Sequence, residues 1–113
     1  MDINLFRNAL EMFGEIDPDI SLPSIMAFLF VAQREKCAQR EVELELGLTN
    51  AGASRNISYW TDRRFDRKPG VGFIDRTEDD YDRRYKVLRL TPKGQSFYDN
   101  LRGLSKHGKT SRK

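Results

Sequence analysis

The chain is poor in the residues that most chemistry needs. It has one cysteine, Cys37, and one histidine, His107, in 113 residues. A single cysteine excludes an intramolecular disulfide, and a reducing compartment, the cytoplasm, is the expected home of such a chain. Cys37 is expected to be a small core or loop residue. With its one histidine in a basic C-terminal stretch, the chain has no Cys/His metal spacing. No Ser/His/Asp or Cys/His nucleophile set can be assembled either. The acidic run Glu78, Asp79, Asp80, Asp82 lacks the mid-loop glycine and closing glutamate of a calcium loop. There is no glycine-rich phosphate loop. No catalytic residue, metal site or cofactor site is therefore expected, and the chain reads as a non-enzyme. No apolar run approaches membrane-spanning length, and the N-terminus opens on Asp2 instead of a basic segment, so neither a membrane span nor a signal peptide is expected.

What is present is charge, unevenly placed. Residues 1–50 hold four Lys/Arg against nine Asp/Glu, a net of −5. Residues 51–113 hold sixteen Lys/Arg against eight Asp/Glu, a net of +8. Either the second half faces a polyanion, or an uneven charged surface is simply solvated. With 38% hydrophobic and 33% charged residues, the core must be economical. One domain over residues 1–104 is expected, followed by a basic flexible tail over 105–113.

Apolar periodicity orders the elements. Residues 2–16 read as a helix capped by Asp2, with Leu5, Ala9, Met12 and Ile16 on one stripe and Phe6, Leu10 and Phe13 on its flank. The stripe is wide enough to meet a partner chain as well as a core. Residues 22–36 form a second helix, apolar almost all round and so central, with Pro23 in its first turn after Ser21. Residues 39–46, QREVELEL, alternate like a strand but are rich in helix formers, and a helix is preferred. Gly47 ends it, and Thr49 or Asn50 caps the next helix, over residues 50–63, with Ala53, Ile57 and Trp60 facing inward. Pro69, Gly70 and Gly72 break the chain. GFIDRTE (72–78) and YKVLRLT (85–91) read as two strands joined by a polar loop. Thr91 and Pro92 then open a last helix that carries Phe97, Leu101 and Leu104.

Helix, helix, helix-turn-helix, hairpin, helix is the order of a winged helix: mainly α, with a three-helix core, a wing of two or three strands, and flanking N- and C-terminal helices. That architecture suits double-stranded DNA. The second helix of the pair offers its outer face to the major groove. The candidate DNA-binding residues there are Thr49, Asn50, Ala51, Gly52, Ser54, Arg55 and Tyr59. Ala51 and Gly52 remove bulk from the front of the helix, and Asn50 sits near the positive end of its dipole. Gly52 serves either close approach to DNA or tight packing on the preceding helix. Arg63, Arg64, Arg67, Lys68 and Lys86 are candidate phosphate contacts.

LGLTNAGASR resembles the helix-turn-helix of MarR-family transcriptional regulators, and GFIDRTEDDYDRRYKVLRLTPKG resembles their wing. Gly72, Asp82-Arg83-Arg84, Leu90-Thr91 and Gly94 follow the family's spacing, and the likeness covers roughly residues 22 to 104. The resemblance implies a homodimeric DNA-binding regulator, most often a repressor, with one wing arginine at the minor groove. It implies that Asp82 orients the wing by pairing with an arginine, but it does not say whether Arg83 or Arg84 reads the groove. Three features depart from the pattern. The chain is longer between Ser54 and Gly72, so the extra residues either extend the recognition helix or form a basic loop. EVELEL puts Glu43 where a small residue is usual and Leu44 where a polar one is usual. The terminal helices, through which such proteins dimerise, are short. The alternative function is a winged-helix interaction module that docks on a protein partner in the transcription machinery without reading DNA.

Overall fold

Aromatic side chains from five separate stretches converge, and the fold is arranged around them. Phe13, Phe28, Trp60 and Phe73 are buried, and Phe97 packs against them. Phe28 lies 4.9 Å from Trp60, and Trp60 stacks on Phe73 at 5.7 Å. The Trp60 Nε1 donates to the Ser24 carbonyl at 2.7 Å, so the indole's one polar group is satisfied inside the core.

The computed structural model describes residues 1–64, 68–82 and 84–104. The elements are α1 (Ile3–Ile16), α2 (Leu22–Ala32), β1 (Cys37–Ala38), α3 (Gln39–Leu46), α4 (Asn50–Trp60), β2 (Ile74–Glu78), β3 (Lys86–Leu90) and α5 (Pro92–Arg102). Helices α2, α3 and α4 form the central bundle. The three strands make one antiparallel sheet in the order β1-β3-β2, with Ile74 opposite Leu90, Glu78 opposite Lys86 and Cys37 opposite Leu88. This is a winged helix, as the order of sequence elements implies.

The helix starts follow the cap residues. Side chains of Asp2, Ser21, Thr49 and Thr91 accept from amides of the first turns of α1, α2, α4 and α5. Each satisfies donors that have no partner within the helix. Gly47 ends α3 at φ +64°, a left-handed conformation that costs glycine little. The QREVELEL segment forms helix α3, as its helix-favouring residues imply.

Several boundaries differ from the sequence reading. The second helix stops at Ala32, not 36, because Arg34 folds back: its Nη1 donates to the Phe30 carbonyl at 2.8 Å and its guanidinium covers the Phe30 ring. The chain then reverses so that Cys37 and Ala38 can pair with β3 as a third strand. Helix α4 stops at Trp60, not 63, and residues 61–64 do not extend it. The carbonyls of its last two residues and of the two beyond accept from the returning chain: Val71 N–H to Tyr59, Phe73 N–H to Trp60, Gly72 N–H to Thr61 and Gly70 N–H to Asp62. Those amides are unavailable to a sheet, so β2 begins at Ile74, not 72. A further bridge pairs Arg63 with Pro69. The last helix ends at Arg102, with Gly103 after it. On α1 only Met12 and Phe13 are buried, while Leu5, Phe6 and Leu10 remain exposed. Residues 105–113, expected as a tail, lie outside the described residues, as do Arg67 and Arg83.

Cys37 is buried against the core, as expected, and burial pushes its thiol up to about 11. Among the described residues, no helix is long and apolar enough to cross a membrane.

Candidate nucleic-acid interface

The turn between α3 and α4 is locked by the glutamate that departs from the family pattern. Glu43 is only 7% exposed. Its Oε2 accepts from the Asn50 side-chain amide at 2.8 Å and its Oε1 from Arg40 Nη1 at 3.2 Å. A buried carboxylate held by charge-assisted and amide bonds on both sides is stable where a lone one would not be. Leu44, beside it, points away and is 68% exposed.

Thr49 is the N-cap of α4: its Oγ1 accepts from Gly52 N–H at 3.0 Å. A Cβ on Gly52 would lie 3.2 Å from that hydroxyl and 4.0 Å from Leu48 Cβ. The packing constraint at Gly52 is thus set by its own cap. Asn50, Ala51 and Arg55 lie exposed on α4, with Ser54 half-buried among them. Asn56 turns inward instead, donating to the Gly52 carbonyl and accepting from Ser24 Oγ.

The wing stands beside this helix. Between them runs a cleft of about 690 Å³, lined by Gln39, Arg40, Glu43, Asn50, Ser54, Arg76, Asp82, Arg84, Tyr85 and Lys86. Four of these side chains are cationic and two anionic, so the lining is net positive. Arg84 meets Asp82 in a two-pronged pair, Nε to Oδ1 at 3.0 Å and Nη2 to Oδ2 at 3.0 Å, and its backbone N–H donates to the same carboxylate. Those bonds, the side-chain ones foremost, hold the Asp82 carboxyl below its ordinary value and raise the Arg84 guanidinium. Arg84 is 90% exposed, so the pair contributes little to the stability of the fold. Lys86 pairs with Glu78 across the two strands at 3.1 Å. At the tip, Asp79 Oδ1 accepts from Tyr81 and Asp82 N–H groups, an Asx turn that leaves Tyr81 99% exposed.

Not every candidate residue gathers here. Asn50, Ser54, Asp82, Arg84 and Lys86 line the cleft. Tyr59 belongs to a second cleft of about 550 Å³, with Ile16, Asp17, Arg64 and Lys93. Its hydroxyl donates to Asp17 Oδ2 at 2.8 Å, and Arg64 lies over its ring at 5.5 Å. Burial and the Asp17 carboxylate raise the phenol, while an Asp19 amide and then the Tyr59 hydroxyl lower Asp17. Arg63 lines a third cleft and Lys68 sits in the bridge-closed loop, where its carbonyl accepts from Arg64 N–H. Arg83 lies outside the described residues. Sequence reasoning missed Gln39, Arg40 and Arg76. A signal for Arg76 was present: it lies two residues after Ile74, on the inward side of an alternating strand, where a charge is out of place.

No protein-family model matches the sequence, and no curated protein matches it. The fold does match solved structures. FabT from Streptococcus pneumoniae in complex with DNA is 23% identical, with a TM-score of 0.56, over 72% of this chain and 51% of that one. A MarR variant from E. coli complexed with operator DNA is 14% identical, with a TM-score of 0.61, over 88% and 61%. A MepR mutant from a multidrug resistant S. aureus clinical isolate is 18% identical, with a TM-score of 0.65, over 83% and 62%. The chain therefore shares the winged-helix fold of MarR-type regulators, and it spans between about half and two thirds of their length.

Proposed function

We propose that this chain is a double-stranded DNA-binding transcriptional regulator that acts as a repressor and as a homodimer. Helix α4 enters the major groove through Asn50, Ala51, Ser54 and Arg55, and the wing approaches the minor groove. The observation that carries this reading is the net-positive cleft shared by α4 and the wing, which brings Asn50 and Ser54 alongside Arg84 and Lys86. A net-positive groove concentrates a polyanion along it. Arg84 is committed to Asp82, so Arg83 is the proposed minor-groove reader and Arg84 the residue that holds the wing tip in shape. Arg63, Arg64, Arg67 and Lys68, just past the end of α4, would contact phosphates on the flank. Tyr59 serves there by its ring, which carries Arg64, since its hydroxyl is held by Asp17.

Dimerisation would use α1, where Ile3, Phe6 and Leu10 recur at helical spacing and stay exposed. Selection from random double-stranded DNA tests the reading. Enrichment of a palindromic site with half-sites about one helical turn apart is the expected result. Failure to enrich any site would overturn it. Leu44, exposed on α3, favours a second reading in which a protein of the transcription machinery docks on this face. Stoichiometric capture of such a protein by wild type and not by Leu44→Asp would favour that reading.

A further inference from the structure

One cation in the cleft is held unlike the others. Arg40, Arg84 and Lys86 each face a carboxylate: Glu43, Asp82 and Glu78. Arg76 faces only neutral acceptors among the described residues. Its Nη2 donates to Ser58 Oγ at 2.7 Å and its Nη1 to Gln39 Oε1 at 3.1 Å, with longer contacts of 3.4 Å to the Ser54 carbonyl and hydroxyl. Gln39 is the first residue of α3, and Ser54 and Ser58 stand one turn apart on α4. Gln39 and Ser58 are themselves buried. Arg76 occupies the centre of β2, opposite Leu88 of β3. One planar guanidinium thus joins the wing, the start of α3 and the middle of the recognition helix. A charge drawn from water to meet only hydroxyls and amides gains its stability from the number and geometry of those bonds, which a fork can satisfy and a single ammonium cannot.

We propose that Arg76 is the positioning residue that fixes the wing to the recognition helix, so that groove reader and wing bind DNA as one rigid unit. This rests on the DNA-binding reading above. Its acceptors lie 18, 22 and 37 residues away in sequence, so the contact sets tertiary geometry, not the local hairpin.

Two measurements test it, one of them without DNA. In the free protein, Arg76→Gln should raise amide hydrogen exchange in β2 and β3 by about tenfold while leaving the α2 amides of Phe28 and Val31 unchanged. A uniform rise, or no rise, would overturn the proposal. On a selected operator, Arg76→Gln should weaken binding by about tenfold, and adding Arg83→Ala should then cost far less than it does in wild type. Arg76→Lys, which keeps the charge and loses the fork, should behave like the Gln variant. Additive losses together with rescue by Lys would mean that Arg76 touches phosphate directly, and would refute a positioning role. If wild type enriches no DNA site, the functional reading fails, while the exchange measurement still decides what Arg76 does.

Discussion

A methyl group placed on Gly70 probes how the wing strand is fastened to α4. A Cβ there would overlap the Thr61 carbonyl oxygen and lie 2.9 Å from its carbon and 3.2 Å from the Tyr59 oxygen. All three are backbone atoms, so no side chain can swing aside. The chain at 70–73 would have to lift from the end of α4, putting its four bonds to the carbonyls of Tyr59, Trp60, Thr61 and Asp62 at risk. Each is worth about 1 kcal/mol net, so losing two to four of them in Gly70→Ala should cost about 2–4 kcal/mol. For a chain this size that lowers Tm by roughly 8–16 °C in thermal unfolding followed by circular dichroism. Gly14→Ala is the matched control. It lies inside α1 with nothing within 4 Å of its Cβ, so the change should stabilise by about 0.5–1 kcal/mol. A Gly70→Ala protein that melts within about 2 °C of wild type would refute the account of the α4 terminus.

Three further outcomes are expected. Cys37, buried and with its thiol pushed up to about 11, should resist a thiol-reactive probe at pH 8, labelling only as fast as the protein opens; immediate stoichiometric labelling would contradict its burial. Asp17 is held below its ordinary value of 3.8 by the Asp19 amide and then the Tyr59 hydroxyl. A lowered folded value means stability present above the unfolded value and lost as pH falls through the folded one. Asp17→Asn should therefore be less stable than wild type near pH 6, with the gap closing towards pH 2 in urea melts; a constant gap would exclude this carboxylate as the cause. Glu43→Ala removes the shared acceptor of Arg40 and Asn50 and should cost about 1.5–3 kcal/mol. Its Tm should fall with every other side chain intact, and an unchanged Tm would argue that the α3–α4 turn is held elsewhere.

The core and the caps were legible because they depend on neighbours close in sequence. Ala53, Ile57 and Trp60 recur at helical spacing, and all are fully buried. Ser21, Thr49 and Thr91 announce helix starts by their own hydroxyls. What was hidden depends on distant partners. Strand β1 is two residues long and has no alternation to detect; its pairing is set by Leu88, far along the chain. The end of α4 is set by amides of residues 70–73, not by its own sequence. Arg76 reads as one more charge on a strand until Gln39, Ser54 and Ser58 are brought around it. In the same way Tyr59, on the outer side of a helical wheel, is drawn towards Asp17 by a bond that no periodicity signals. The pairing of Asp82 with Arg84 was half legible: that the aspartate pairs with an arginine was implied by the motif, while the choice of Arg84 needed the geometry of the turn.

The central claim is that the cleft between α4 and the wing holds DNA phosphates. Its most direct test is the salt dependence of operator binding, read by fluorescence anisotropy over a range of salt concentrations. Each phosphate neutralised should contribute about −0.9 to the slope of log K against log salt, so several contacts predict a slope of about −4 or steeper. Lys86→Ala should make that slope shallower by about 0.9. A flat response, with affinity indifferent to salt, would contradict the claim.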